Sequence, residues 1–399
     1  MKKITVNLGK ESYSIVIGYD IFRFLPRYLK SLHLPREIFI ITNNRVQKYY
    51  AKKLNQSLKQ GGFSTKFYLT IDSEKAKSIN NAVRIAEHLA FYAKQKKITV
   101  LALGGGVIGD LAGFIASIYK RGVPLVQVPT TLLAQIDSSI GGKTAIDLRI
   151  AKNLVGTFYQ PKLVFCDLSV LETLDKRQVR SGLSEAMKYA AIKDEGLFNF
   201  LEQNYHSVFS RDRQTLEHLV YACAKIKAKI VELDEKEEKG LRTILNFGHT
   251  IGHAIEAAGG YSRYNHGEAI ALGMLAASRM SENLGLLSAS VCQRISALVA
   301  GLGLPLEVSG IREEDAACAL LRRLLSTHDD SVSQRRDLGV FAHDFLFLSA
   351  IIRPFPGLSL RAPGHTCARW RSQRPAAQSR LRPSWTRTTV APCRANPRP

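Results

Sequence analysis

Two periods of apolar residues succeed one another along this chain. In the first part, KKITVNLG and SYSIVIG alternate apolar with polar positions, the two-residue period of half-buried strands, and together they predict a hairpin. REIFIITNN predicts a strand ending in a polar turn, and ITVLALGGG a buried strand running into glycines. VPLVQVPTT and PKLVFCDLSVL predict two more. Between them, SINNAVRIAEHLAFYAK has the 3.6-residue spacing of an amphipathic helix. Strands alternating with helices predict a Rossmann-like, mostly parallel sheet. From about residue 180 the strand period disappears. RSGLSEAMKYAAIKD, QTLEHLVYACAKIKAKIVELDE, HTIGHAIEAAG and GEAIALGMLAASRMSENLG all read as helices. The expected fold class is therefore α/β plus α, with an α/β domain over 1–178 and an all-helical domain over 179–330. No internal repeat is visible.

A third texture follows. From about residue 353, arginine, proline and serine dominate without periodicity, and no lysine occurs after Lys239. Residues 331–399 are read as an atypical Arg/Pro-rich tail, expected to be largely disordered because it has too little apolar surface to bury.

Composition narrows the class. Apolar content of 45% and charged content of 23% are those of a soluble globular protein. MKKITVNLGK has no apolar run behind its lysines, so no signal peptide is read. No uncharged apolar run reaches the roughly 18 residues of a membrane span; LGVFAHDFLFLSAII (338–352) comes nearest but contains His343 and Asp344. Cys166, Cys223, Cys292, Cys318, Cys367 and Cys393 are scattered without a CxxC pair, which favours a reduced, cytoplasmic setting. The net charge of +22 invites a nucleic-acid reading, but residues 345–399 supply ten arginines and no acidic residue. The rest is thinly spread, and an anion-binding site with ordinary solvated faces accounts for it.

Candidate chemistry begins at the first glycine run. ITVLALGGGVIGDLAGF sets Gly104, Gly106 and Gly109 in G-x-G-x-x-G spacing between a strand and a helix. Such a loop brings bare backbone and a helix N-terminus to a pyrophosphate. Tight strand–helix packing explains the same glycines, and the acidic residue expected some 20 positions on is missing. Downstream, PTTLLAQIDSSIGGKTAID and AKNLVGTFYQP look like loops dense in hydroxyls, glycine and charge, with Asp137, Lys143, Lys152 and Asn153. They read as a ligand site on loops or as a long surface connection.

In NFGHTIGHAIE, His249 and His253 stand four apart, on one face of a helix. Spacing alone selects them as a metal pair. Glu185 and Lys188, three apart in SGLSEAMKY, and His266 in YNHGEA extend the set. One carboxylate with two or three histidines is the donor set of a catalytic zinc site with an open position, although each histidine alone is more often structural. Arg121, Lys143, Lys152, Lys188, Lys227 and Arg242 recur beside these motifs, and if they converge they suit a substrate carrying phosphate or carboxylate. Lys225, Lys229 and the run DEKEEK (234–239) read as solvated surface.

Together GGGVIGDLAGFIASIYKRGV, QVPTTLLAQIDSSIGGKTAID, KNLVGTFYQP, SGLSEAMKY, LRTILNFGHTIGHAIE and YNHGEAIALGM resemble the 3-dehydroquinate synthase family of sugar-phosphate cyclases, in family order, over about residues 1–305. The resemblance implies an NAD-binding α/β domain, a helical metal- and substrate-binding domain and a homodimer, with no specific nucleic acid and no membrane as partner. The activity implied is that of a carbon–oxygen lyase of the shikimate pathway of aromatic amino acid biosynthesis. It converts 3-deoxy-D-arabino-heptulosonate 7-phosphate to 3-dehydroquinate and phosphate, using NAD+ and a divalent metal, Zn2+ first and Co2+ second.

The implied metal ligands are Glu185, His249 and His266, with His253 instead at the substrate phosphate. Asp137, Lys143, Asn153, Lys188, Lys227, Arg242 and Asn246 match substrate positions, and Arg121 one that reaches the neighbouring subunit's site. Glu74, Lys77, Gly105, Gly106, Asp110, Thr130, Thr131, Lys152 and Thr173 match NAD positions.

There are two departures. Asn44 stands where the family commonly has an acidic residue near the adenosine. LSTHDDSVSQRRDLGVFAHDF lacks the family's Asp-Lys-Lys motif, with Arg335 or Arg336 near the corresponding distance. The alternatives are another sugar-phosphate cyclase, or a C-terminally altered, weakened enzyme whose basic tail binds acidic partners.

Overall fold

The computed structural model of the chain describes residues 1–148, 152–312 and 314–317. All of these belong to the first of the chain's two contact-defined units, Met1–Asp344, and the second, Phe345–Pro399, lies outside them. The tail and the sequence around Arg335 and Arg336 therefore fall outside the described residues.

Among the described residues there are nine strands: β1 Lys2–Val6, β2 Tyr13–Gly18, β3 Glu37–Asn43, β4 Ser64–Thr70, β5 Ile98–Gly104, β6 Leu125–Pro129, β7 Lys143–Ile146, β8 Val155–Phe158 and β9 Leu163–Asp167. Seven form one sheet in the order β1-β2-β9-β6-β5-β3-β4. Only the β1–β2 hairpin in it is antiparallel, Lys2 opposite Ile17 and Val6 opposite Tyr13. β5, β6 and β9 are buried at every position, as expected of central parallel strands covered on both faces.

The helices among these strands are α1 Leu25–Ser31, α2 Asn44–Val46, α3 Lys52–Gln60, α4 Ile79–Ala93 and α5 Gly106–Ile118. α4 and α5 cover one face of the sheet, where Ile85, Leu111 and Ile115 pack on Phe39, Ile41 and Val100. Beyond β9 the described residues form helices and turns only: α6 Lys176–Lys193, α7 Glu195–Phe209, α8 Arg213–Leu233, α9 His249–Ala258, α10 His266–Asn283 and α11 Ala289–Gly301. Leu183 of α6 and Leu219 and Val220 of α8 share one core with Ile15, Val126 and Phe165 of the sheet, so the helical part is seated on its other face. No described helix is long and apolar enough to cross a membrane.

Two stretches read as loops are ordered. Residues 143–146 and 155–158 pair as the antiparallel strands β7 and β8, Lys143 opposite Phe158, with the Thr144 and Thr157 hydroxyls 2.8 Å apart. Residues 134–138 form a wide helical turn carrying Asp137.

α9 and α10 lie unusually close. A Cβ on Gly273 would stand 1.9 Å from the Gly248 carbonyl oxygen, so only glycine permits the approach. The contact holds the first residues of both helices, His249 and His266, in one place. α10 is fixed there by a capping box: the Asn265 side chain accepts from Glu268 N, and Glu268 accepts from Asn265 N.

Candidate active site

The C-terminal ends of the parallel strands open on a cleft of about 1050 Å³. Asn43 at the end of β3, Asp72 after β4, Gly105 and Gly106 after β5, and Thr130 and Thr131 after β6 line it, the place where open α/β sheets bind ligands. Glu74, Lys77, Asp110, Lys152 and Thr173 line the same cleft, so all nine NAD-matched residues meet there. Gly109 plays the other part foreseen for the glycines. Its missing side chain leaves room for Gln127, whose Oε1 lies 3.0 Å from where a Cβ would be. Asn44 opens α2 between the cleft residues Asn43 and Arg45.

Lys77 organises the cleft wall. Its buried ammonium donates to Asp110 Oδ2 at 2.8 Å and to Asn153 Oδ1, with Glu74 at 3.4 Å and Asp147 at 3.9 Å. Burial alone would lower the Lys77 pKa, but the Asp110 and Glu74 carboxylates outweigh it and raise it. Burial pushes Asp110 up to about 6 against the pull of Lys77.

Across the cleft, three elements converge: Glu185 from α6, His249 at the start of α9 and His266 at the start of α10. Glu185 Oε1 lies 3.4 Å from His249 Nε2 and 3.4 Å from His266 Nε2. One donor atom from each falls within 4.8 Å of the others. Among the described residues, no such group of donors contains both His249 and His253, so the pair chosen by helical spacing is replaced. The rings of His249 and His253 are perpendicular, with centroids 5.2 Å apart. His253 groups instead with Glu256 and His266.

Glu185 is wholly buried. Burial would raise its pKa, but the Lys188 ammonium against Oε2 and the two imidazoles hold it well below the carboxylate range. The two imidazoles diverge. Burial lowers His249 to about 4. His266, although half-buried, is raised to about 10 by its hydrogen bonds to Glu185 and Glu256.

Asp137 extends this into a charge chain. Lys227 Nζ donates to its Oδ1 at 2.5 Å, and Lys188 Nζ lies 3.8 Å from its Oδ2. The two lysines shift in opposite directions for a physical reason. Burial lowers both, but Lys188 has two carboxylates beside it and ends raised, whereas Lys227 has one, feels Lys188 and Arg242, and ends lowered.

Lys143 and Arg242 are brought together by Glu237, at 2.5 Å and 3.2 Å. This corrects the reading of DEKEEK as a solvated run. Asp234 is buried and accepts from Leu241 N at 3.0 Å, and Glu235 accepts from Gln160 Nε2 at 3.0 Å. Lys236, Glu237, Glu238 and Lys239 of the run are exposed, but its acids fold the loop and join two cations of the site.

The remaining candidates are more scattered. Asp137, Asn153 and His253 line the cleft, whereas Arg121 and Asn246 do not and are exposed. Lys152 places its ammonium 4.2 Å from the centre of the Tyr261 ring. Sequence reasoning passed over Glu256, Tyr261 and Glu237. For Glu256 the signal was present: it lies three residues after His253 and seven after His249, on the same helix face.

Known proteins are similar over most of the chain. Residues 67–181 match the 3-dehydroquinate synthase N-terminal family and residues 182–324 the 3-dehydroquinate synthase C-terminal family. The 3-dehydroquinate synthase of Thermoanaerobacter pseudethanolicus is 45% identical over 320 residues, 80% of this chain and 90% of that protein. A crystal structure of 2-deoxy-scyllo-inosose synthase with carbaglucose-6-phosphate, NAD+ and Co2+ superposes with a TM-score of 0.72 at 26% identity, covering 80% of this chain and 86% of that one. The 2-epi-5-epi-valiolone synthase of Streptomyces hygroscopicus subsp. jinggangensis, with NAD+ and Zn2+, superposes with a TM-score of 0.72 at 26% identity, covering 79% and 87%.

Proposed function

The chain belongs to the 3-dehydroquinate synthase family, and from that premise we propose that it converts 3-deoxy-D-arabino-heptulosonate 7-phosphate to 3-dehydroquinate and phosphate. In this reading it is a lyase using NAD+ and a divalent metal, zinc in the first place. The observation that carries the proposal is the convergence of Glu185, His249 and His266 beside a glycine-walled cleft.

The residues fit both groups. A buried carboxylate and two imidazoles are borderline-soft donors suited to zinc, and three protein ligands leave a position open. Gly105 and Gly106 leave little space for a side chain, since a Cβ would fall 2.9 Å from Thr131 Cγ2 and 3.0 Å from Ser138 Oγ. They therefore present bare backbone at the start of α5, where a pyrophosphate is accommodated. Bound NAD+ would supply a reversible hydride acceptor for C5, and the bound metal Lewis acidity toward the C4 and C5 hydroxyls.

The chain's own residues position and neutralise the substrate. Lys143 and Arg242 are the cations for its anionic groups, and Lys188 and Lys227, held in place by Asp137, form the floor behind them. Asn153 in the cleft offers its amide to a hydroxyl and His253, on the same cleft, is the residue for the phosphate, whereas Asn246 lies outside the cleft. With C5 a ketone, the neighbouring C6 proton is acidic and phosphate departs by elimination. The substrate's own phosphate is the base, so the protein's task is to fix phosphate and proton together. Ring opening and the closing aldol need the same fixed geometry. Arg121, exposed and outside its own chain's cleft, serves the partner's site in a homodimer.

Phosphate release from the heptulosonate phosphate by the full chain with NAD+ and Zn2+ tests this. Folded, metal-loaded protein that releases none would overturn the activity. The same assay on chains ending at 344 measures what residues 345–399 contribute. A related cyclase activity is the second reading, favoured by superposition on cyclases with other names, and a substrate panel separates the two.

A further inference from the structure

The carboxylate of Glu256 has no role assigned to it above, yet it is buried within the histidine cluster, 8% exposed. Its Oε2 lies 3.4 Å from His266 Nδ1 and 3.9 Å from His253 Nε2. The two imidazoles that face Glu185 are arranged alike. Each turns Nε2 toward Glu185 Oε1, at 3.4 Å in both cases, and each has an acceptor on Nδ1. For His249 the acceptor is the Phe247 carbonyl at 3.2 Å, a contact built into the start of α9. His266 sits at the start of another helix and has no such carbonyl among its hydrogen bonds; Glu256 supplies the acceptor instead.

We propose that Glu256 is a positioning residue for the metal centre: by accepting the Nδ1–H of His266 it fixes the tautomer and ring orientation that present Nε2 beside Glu185. The inference rests on Glu185, His249 and His266 being the metal donors. An acceptor on one imidazole nitrogen leaves the lone pair on the other, and a carboxylate in that place also makes the imidazole a more basic ligand. Because the same oxygen faces His253, Glu256 holds the two rings apart, His266 toward Glu185 and His253 toward the cleft.

The competing assignment is that Glu256 is itself a ligand, since His253, Glu256 and His266 also bring donor atoms within 4.8 Å of one another. Two Glu256 variants and one control separate the cases. Glu256→Leu removes the acceptor, whereas Glu256→Gln keeps an oxygen that can accept the Nδ1–H. His266→Ala removes a donor. The readouts are Zn2+ affinity of the full chain by competition with a chromophoric chelator and the visible spectrum of the Co2+-loaded protein, with circular dichroism as the check on folding.

The expected order is a 10- to 100-fold loss of affinity for Glu256→Leu, recovery of most of it in Glu256→Gln, and loss of stoichiometric binding in His266→Ala. The Co2+ spectrum keeps its coordination type in both Glu256 variants. Glu256→Leu within about threefold of the parent, beside a collapsed His266→Ala, would overturn the proposal and leave the metal site standing. Glu256→Gln as damaging as His266→Ala, with a changed Co2+ spectrum, would overturn it by making Glu256 a ligand. Full affinity in His266→Ala and in Glu185→Gln would remove the metal assignment, and the proposal with it. If Glu256→Leu fails to fold, the comparison of Glu256→Gln with the parent decides alone, a loss above 10-fold overturning it.

Discussion

Removing the charge of Asp137 without changing its shape is the most informative perturbation of the buried network. Glu185, Lys188, Asp137 and Lys227 alternate in sign, and each side chain is less than a fifth exposed. Asp137→Asn leaves two ammonium groups facing one carboxylate. Breaking a buried pair from one side costs about 3–5 kcal/mol, because a charge is left uncompensated. Here a ceiling applies. Lys227 is already lowered, chiefly by burial, and Lys188 keeps Glu185, so Lys227 is the group that gives up its proton. Neutralising an ordinary lysine at pH 7.5 costs about 4 kcal/mol. The expected loss of stability is therefore about 3–4 kcal/mol.

The ceiling has a pH signature. In the variant the Lys227 pKa lies below its unfolded value, so between the two the unfolded chain binds the extra proton and stability rises with pH, by about 1.4 kcal/mol per unit. The deficit relative to the parent should shrink by about 2–3 kcal/mol between pH 7.5 and 9.5. Denaturant unfolding of both proteins at the two pH values measures this. Asp137→Asn with Lys227→Met, which removes both members of the pair, should recover most of the loss. A deficit under about 1 kcal/mol, a pH-independent deficit, or a double variant no better than the single would refute the reasoning.

Three other outcomes follow from the geometry. Gly273→Ala sets a methyl 1.9 Å from the Gly248 carbonyl oxygen and must drive α9 and α10 apart. Its thermal unfolding should show a loss of more than about 3 kcal/mol, whereas Gly260→Ala, at φ +60° in open space, should lose only about 1 kcal/mol. Lys77→Met leaves Asp110, Glu74 and Asp147 facing one another and the cleft, and calorimetry should find NAD+ binding weakened at least about tenfold. Zn2+ binding at pH 7.5 should release about one proton. His266, raised to about 10, then carries a proton to be displaced, whereas His249, lowered to about 4, carries none. Calorimetry in buffers of different ionisation enthalpy reads the number, and zero release would contradict it.

What could be read from the sequence and what could not differ in where the information lies. β5, β6 and β9 were legible because a strand covered on both faces must be apolar at nearly every position. β4, STKFYLT, passed unnoticed because it is the sheet's edge, mostly half-exposed and without clean alternation. β7 and β8 were hidden for another reason. Their pairing rests on backbone bonds and on the hydroxyls of Thr144 and Thr157, and hydroxyls and glycines are the composition of loops.

The site shows the same division. Helical spacing states correctly that His249, His253 and Glu256 share a face, because that is a property of one helix. It cannot state which of them meets Glu185, because that depends on how α9 and α10 approach. The approach is set by Gly248 and Gly273, which bring His266 to a distance of 3.4 Å from Glu185 and put it where spacing had placed His253. The histidine four residues away in sequence thus yields to one seventeen away. The carboxylate at 256, unremarkable as the one acidic residue of an amphipathic helix, becomes the group that faces both.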